Sequence, residues 1–302
     1  ELVADDLYGH DEATRKIVRH RDGHVPRPGE ITHNPDLADT LEISQRVGPD
    51  LFTTGEVGRE LVALMEQQHG LITTEDLASY RPVTRPATLT QISDWTIATN
   101  PPPSIGGPLL AVMLSELARR IQPNASRSGD ELRGRYQVTA ADAADILEVQ
   151  RAVLGYRTSV LDFSRNLEAD GVALLEAAQR YGLDGLPTSS STAHVSVVDG
   201  DGLACSITLS SGYGAGVTIP GTGIMLNNAL GEIELNRLGL HAVAPGTRLA
   251  SNMAPTTGRT ADGRAVAVGS PGADRITTAL MQMLSQACLR HTDLQSAVDA
   301  PR

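Results

Sequence analysis

The stretch that decides the fold is Leu186-Pro-Thr-Ser-Ser-Ser-Thr-Ala-His-Val-Ser-Val-Val-Asp-Gly-Asp-Gly-Leu-Ala-Cys-Ser-Ile-Thr-Leu209. Its first part is polar and rich in breakers, with no apolar period. From His194 to Val198 and from Leu203 to Leu209 the chain alternates, and Asp199-Gly-Asp-Gly202 between the two runs is a turn signal. Two alternating runs around such a turn predict a β-hairpin. If Gly200 and Asp201 form the tip, Thr192 lies opposite Leu209; a three-residue tip moves its partner to Ser210. Either register brings Thr208, Ser210 or Ser211 near Thr192. A hydroxyl is a weak nucleophile unless a base stands beside it, and one such base is the residue's own free α-amine at a chain terminus. For Thr192 that requires a cut between Ser191 and Thr192. Local sequence alone better describes an ordinary strand start after a Ser-rich loop.

Outward from the hairpin the texture differs on the two sides. Upstream the chain reads mainly helical. Asn34-Pro35 opens one helix with a cap and a first-turn proline, and residues 57–68 fit another, closed by Gly70. A short cap at 73–76 precedes Asp76-Leu-Ala-Ser-Tyr80. A strand end at 97–100 leads through Pro101-Pro-Pro-Ser-Ile-Gly-Gly107 into a helix at 108–120. Residues 122–136 read as an exposed loop, followed by helices at 140–160 and 174–181. Downstream, a strand at 265–268 meets Gly269-Ser-Pro-Gly-Ala273, then a helix at 274–289. Unsatisfied N–H groups at a helix start carry a partial positive field. Gly272 and Ala273 are therefore candidates for an oxyanion hole, although the same geometry suits a phosphate or plain packing.

Composition narrows the function classes. The 302 residues are 40% hydrophobic and 20% charged, with a formal net charge of −11. Lys16 is the only lysine, and no basic run is long enough to track phosphates, so nucleic acid is not an expected partner. Aromatics make up 3%, too few for a base-stacking platform. No apolar run is long enough to span a bilayer. The chain has no initiator Met and no signal-like start, which leaves the compartment undetermined. Cys205 and Cys288 lack clustering with histidines and read as buried free thiols. His24 and His33 share a Gly/Pro-rich segment with several acids, but their spacing fits no standard ligand set, so no metal or other cofactor is expected.

Several motifs occur together and in order: Gly70-Leu-Ile-Thr-Thr-Glu-Asp-Leu-Ala-Ser-Tyr80, Pro101-Pro-Pro-Ser-Ile-Gly-Gly107, Thr192-Ala-His-Val-Ser-Val-Val-Asp199, Pro220-Gly-Thr-Gly-Ile-Met-Leu-Asn-Asn228, Ser251-Asn-Met-Ala-Pro255 and Gly269-Ser-Pro-Gly272. In these the chain resembles the γ-glutamyltransferase (γ-glutamyltranspeptidase) family. The resemblance covers most of the chain and is weakest over 122–190. It implies an α+β fold, the four-layer αββα sandwich of N-terminal-nucleophile hydrolases. It implies a precursor that cuts itself between Ser191 and Thr192. Residues 1–191 then form a large-subunit-like portion and 192–302 a small-subunit-like portion, together one αββα domain and a heterodimer from one precursor, with a dimer of these also compatible. Thr192 would carry an acyl ester from a small γ-glutamyl or acyl-amide substrate such as glutathione. Water or an amino-acid or peptide acceptor would resolve it.

By motif position, Gly272 and Ala273 would supply oxyanion N–H groups, and Thr208 or Ser210 a supporting hydroxyl. Ser251 and Asn252 would contact substrate, and Glu232 would hold its α-amino group. The family also has an N-terminal part that supplies a carboxylate-binding arginine, and a C-terminal part after a motif like Asp299-Ala-Pro-Arg302; neither lies in the numbered chain. Ala229-Leu-Gly-Glu232 keeps one acid where the family has a pair, Asn252 replaces a serine, Ala273 replaces a glycine, and Ser210-Ser-Gly-Tyr213 is two residues shorter. These departures fall mostly on recognition of the glutamyl head. A glutaryl-cephalosporin or poly-γ-glutamate acylase, and a non-catalytic relative that binds a ligand, are therefore the alternatives.

Overall fold

The computed structural model describes residues 8–20, 22–121, 139–180, 193–212, 214–233 and 235–301. The chain forms two compact units, Glu1–Thr84 with Ser211–Ala229, and Arg85–Ser210 with Leu230–Arg302. Each unit draws on sequence from both sides of position 192.

The first unit holds helices α1 (Glu12–Val18), α2 (Pro35–Val47), α3 (Glu56–Gln67) and α4 (Thr74–Ser79). As its sequence predicts, α2 starts at an Asn34 cap, whose side chain accepts from the Leu37 N–H, with Pro35 in the first turn. Thr73 and Asp76 form a reciprocal capping box on α4. A small core of Leu51, Val57 and Ile219 is completed by Ile43, Phe52, Leu61, Ile224 and Leu226. The 211–229 loop is sewn to the helices by polar contacts. Thr40 Oγ1 donates to the Thr222 carbonyl at 3.0 Å, Asn34 Nδ2 to that of Gly223 at 2.9 Å, and Thr14 and Thr218 share a hydroxyl contact at 2.7 Å.

The second unit is built on an antiparallel sheet in the order β1 (Thr88–Ile92), β2 (Trp95–Thr99), β5 (Thr256–Thr260), β6 (Ala265–Val268). The segment between β2 and β5 holds α5 (Gly106–Arg120), α6 (Ala140–Ser159), α7 (Leu167–Arg180) and a hairpin of β3 (Ala193–Val198) and β4 (Ala204–Leu209). Strand alternation puts Ile92, Ile97, Thr99, Thr256, Gly258, Val266 and Val268 on one buried face. That face packs on α5, which is apolar almost all round and buries Leu109, Leu110, Met113, Leu114 and Leu117. Helix α8 (Ile276–Leu284) packs against α5 and continues into one π-helical stretch, Ser285–Leu289, before α9 (Leu294–Asp299). The hairpin lies against β5 and β6. Among the described residues the unit thus stacks helices, sheet and hairpin.

The hairpin's faces are inverted relative to a usual half-buried ribbon. Ala204, Ser206 and Thr208 are half-buried against the sheet, whereas Val195, Val197, Ile207 and Leu209 point outward and are 55%, 56%, 48% and 62% exposed. Cys205 lies on that outer face and is exposed, which corrects the expectation of a buried thiol; an apolar run in a strand does not say which face meets the core. Cys288 is buried as expected, and burial pushes its thiol up to about 12. No described helix is long and apolar enough to cross a membrane.

Candidate functional site

The hairpin register pairs Ala193 with Leu209 and Val198 with Ala204. The tip is therefore the three-residue alternative. The Asp199 carboxylate accepts the N–H groups of Asp201 and Leu203, and Gly202 takes a positive φ of 79° that suits glycine. Thr192 and Ser191 lie outside the described residues, as does Tyr213. What is described is the strand that begins at the next residue.

On the inner face of that strand stands His194, a residue the sequence reading did not single out. Its Nδ1 is 2.8 Å from Thr208 Oγ1 and its Nε2 2.7 Å from Ser196 Oγ. The ring lies flat against Gly269: a Cβ there would sit 2.0 Å from Nδ1. Burial lowers the pKa of His194 from its ordinary value of 6.5, so the ring is neutral at neutral pH. Ser206 Oγ donates to the Val268 carbonyl at 2.7 Å and accepts the Thr256 N–H at 3.0 Å. These contacts fasten the start of the hairpin to the Gly269 loop. The signal for His194 was its alternation with Ser196 on the face opposite Val195 and Val197.

The loop after β6 turns sharply. Gly272 has φ 128° and Ala273 φ 40°, and Ala273–Arg275 form a short 3-10 turn that leads into α8. The continuous helix expected from 274 is thus a tight turn, then α8, then the π stretch. Gly272 gives the turn no side-chain cap, and an oxyanion site needs such first-turn N–H groups to face the substrate. Ala273, by contrast, sits in the left-handed region that non-glycine residues seldom adopt.

Ser251 and Asn252 lie beside this turn. Asn252 is buried; its Nδ2 donates to Asp274 Oδ1 at 2.7 Å, and its Oδ1 is buried with no partner among the described residues. Asp274 in turn meets Arg157 Nη1 at 2.5 Å, and Arg157 Nε donates to Asp162 Oδ1 at 3.0 Å. All three ionic side chains are at most 3% exposed. Desolvation pushes the Asp162 carboxyl above its ordinary range, and Arg157 and, more weakly, Arg237 at 3.6 Å oppose the shift. The Ser251 carbonyl accepts from Ile105 N (2.9 Å), Gly106 N (3.1 Å) and Ser104 Oγ (3.2 Å), which seals the start of α5. Gly106 is required there, since a Cβ would stand 2.1 Å from the Asn252 carbonyl.

The structure therefore joins three predicted segments: the hairpin through Thr208, the 251–252 pair, and the 269–273 loop. Ser210 follows β4 and is exposed, and Glu232 is buried in the loop that precedes the 251–252 pair. A cavity of about 290 Å³ opens next to Ala250, floored by Asp162 and lined by Arg85, Arg165, Arg237 and Arg248. Four guanidinium groups against Asp162 and Glu168 give it a net positive lining.

Comparison with known proteins gives a consistent placement. The family profile described as Gamma-glutamyltranspeptidase matches residues 3–302. A glutathione hydrolase proenzyme of Pseudomonas aeruginosa is 33% identical, over 93% of this chain and 54% of its own length. The glutathione hydrolase proenzyme of Escherichia coli is 29% identical, over 100% and 57%. An acylase ACY 1 proenzyme of a Pseudomonas species is 31% identical, over 91% and 51%. The chain thus spans about half the length of the curated relatives it matches. Among solved structures, a cephalosporin acylase from Bacillus halodurans superposes with a TM-score of 0.72 at 22% identity, covering 100% of this chain and 56% of that one. This likeness shows the fold, an α+β architecture shared with that acylase. With its whole described length matched by one family profile, the chain belongs to the gamma-glutamyltranspeptidase family.

Proposed function

We propose that the protein of which this chain is part is an autoprocessing γ-glutamyl hydrolase or transferase that works through Thr192. The observation that carries the reading is the fastening of three segments to one another: His194 on Gly269, Ser206 on Val268, and Asn252 on Asp274. Thr192 directly precedes β3 in sequence. Cleavage of the Ser191–Thr192 bond frees its α-amine as the base, and its hydroxyl attacks the amide carbonyl of the substrate. The negative charge on the tetrahedral oxygen is met by N–H groups of Gly272 and Ala273. The amine leaves with a proton, and water or an amine acceptor then resolves the ester. Thr208, bonded to His194, or Ser210 supports the nucleophile, while Ser251, Asn252 and Glu232 contact the acyl group. The names of the relatives support a precursor that yields a large and a small portion, 1–191 and 192–302, paired as a heterodimer.

A second reading, an acylase for a dicarboxylic acyl group without an α-amine, is favoured by Asn252. Its amide nitrogen is already bonded to Asp274. The arginine-lined cavity suits a carboxylate in either case. Intact mass with N-terminal sequencing tests the shared mechanism. Wild type gives two fragments, the smaller beginning at Thr192; Thr192→Ala gives one uncut chain without amidase activity. An uncut wild type that hydrolyses a γ-glutamyl anilide at full rate overturns it. Comparing γ-glutamyl and glutaryl anilides then separates the two readings.

A further inference from the structure

A second cluster of chemistry-bearing side chains lies in the first unit, outside everything described above. His20, His24 and Glu30 each offer one ligand atom, and these atoms lie within 4.8 Å of one another. His24 Nε2 is 3.1 Å and His20 Nε2 3.4 Å from Glu30 Oε2. Ligand atoms held 2.0–2.1 Å from a tetrahedral zinc stand about 3.3 Å apart, so both separations match edges of such a tetrahedron. The spacing reading paired His24 with His33; the cluster uses His20 instead, because a turn brings His20 and His24 together.

The loop itself fixes the three groups. The His20 N–H donates to the His24 carbonyl at 3.0 Å, and the Gly23 N–H to that of His20 at 2.8 Å, with Gly23 at φ 89°. The two imidazoles stack with centroids 4.5 Å apart. The Glu30 carboxylate is anchored by the Arg27 N–H at 2.7 Å. Two further observations point to a ligand. His24 Nδ1 is 2.6 Å from Asp22 Oδ1, the carboxylate–histidine arrangement that orients a metal-binding imidazole and leaves Nε2 to face the ion. His20 Nε2 is a buried atom that makes no hydrogen bond among the described residues and meets only the Glu30 carboxylate, at 3.4 Å.

We propose that His20, His24 and Glu30 bind one borderline divalent transition-metal ion, zinc being the probe, with Asp22 orienting His24 and a fourth position left to water. Two imidazoles and one carboxylate select zinc-like ions over calcium or magnesium, which prefer all-oxygen sites. The site is independent of the reading of Thr192. The competing occupant is a proton on His24, which would satisfy the same two carboxylates as a plain ion pair.

The test is calorimetric titration of the full chain, stripped with chelator, with zinc chloride and separately with magnesium chloride. Wild type takes up one equivalent of zinc and no magnesium. His20→Ala and His24→Ala lose the saturable site, and Asp22→Asn weakens it about tenfold. On wild type, the imidazole NMR signals of His20 and His24 move with zinc while those of the other histidines stay, so the proposal remains testable if a variant fails to fold. No saturable zinc uptake by wild type, uptake unchanged in both alanine variants, or shifts at other histidines instead overturns it and leaves the proton-bridged ion pair.

Discussion

Replacing Arg157 by Met isolates the buried ionic network beneath the candidate site. Arg157, Asp162 and Asp274 are 3%, 2% and 3% exposed, and the guanidinium bridges the two carboxylates at 3.0 and 2.5 Å. Met fills most of the volume but removes the only fully buried positive charge described in this network. Breaking a buried pair costs about 3–5 kcal/mol, mostly because the remaining charge is left in a low dielectric. Arg237 at the rim, 3.6 Å from Asp162 and 39% exposed, offsets a small part. For a chain of this size about 2 °C of Tm is lost per kcal/mol, so the expected fall is about 6–10 °C. The sign of the pH dependence is a second check. Without Arg157 the folded-state pKa of Asp162, already raised by burial, rises further above its unfolded value. The carboxyl then binds more protons folded than unfolded, so its penalty is largest at neutral pH and fades as pH falls through the raised pKa. Urea unfolding followed by circular dichroism at about pH 7 and about pH 5 reads both effects, and the wild-type difference should shrink at the lower pH. A loss under about 1 kcal/mol, or one that does not shrink on acidification, refutes the assignment of the network as an uncompensated charge problem. Adding Asp274→Asn to Arg157→Met should recover part of the stability, a coupling that independent sites would not show.

Three further outcomes follow from the site. Gly269→Ala puts a methyl into the His194 ring; it should cost about 1–3 kcal/mol in thermal or urea unfolding and slow processing at residue 192, and a neutral result would mean that the ring is not held there. His194 should titrate below its ordinary 6.5 by NMR. Because a lowered histidine pKa favours folding above the unfolded value and loses that contribution as pH falls toward the folded one, His194→Gln should flatten the stability profile below about pH 6.5. A thiol reagent should label Cys205 in the native protein and Cys288 only after unfolding, since the latter is buried with its thiol raised to about 12; rapid native labelling of both would contradict the placement of Cys288.

Much of the architecture is legible in local sequence because local chemistry dictates it. The Asn34-Pro35 start, the Thr73/Asp76 box and the β6 strand all form where their residues predict. Boundaries failed where packing overrides propensity. Helix α7 begins at Leu167, seven residues before its apolar run suggests, and α5 begins at Gly106 because the Ser251 carbonyl accepts its first N–H groups. Strands β1 and β5 were not read at all: Thr256-Thr-Gly-Arg-Thr260 carries no apolar alternation, yet Thr256, Gly258 and Thr260 are buried against β2 and β6. The candidate site was legible through its motifs, but the His194–Gly269 contact and the Arg157–Asp274 pair join residues 75 and 117 apart, beyond any local pattern. The His20 cluster was missed because a turn, not a spacing rule, brings it together.

The seal on α5 has a consequence for how this scaffold can diverge. Residue 251 closes the helix with its main-chain carbonyl, while its hydroxyl accepts one 3.3 Å bond, from the Met253 N–H, among the described residues. Any side chain supplies the same carbonyl. Position 251 can therefore vary its chemistry toward a substrate while the helix start stays unchanged. Position 252 lacks that freedom, because its side chain itself holds Asp274. Adjacent residues in one motif thus have different evolutionary latitude: the first is a place where specificity can drift at little structural cost, and the second is bound to the ionic network under it.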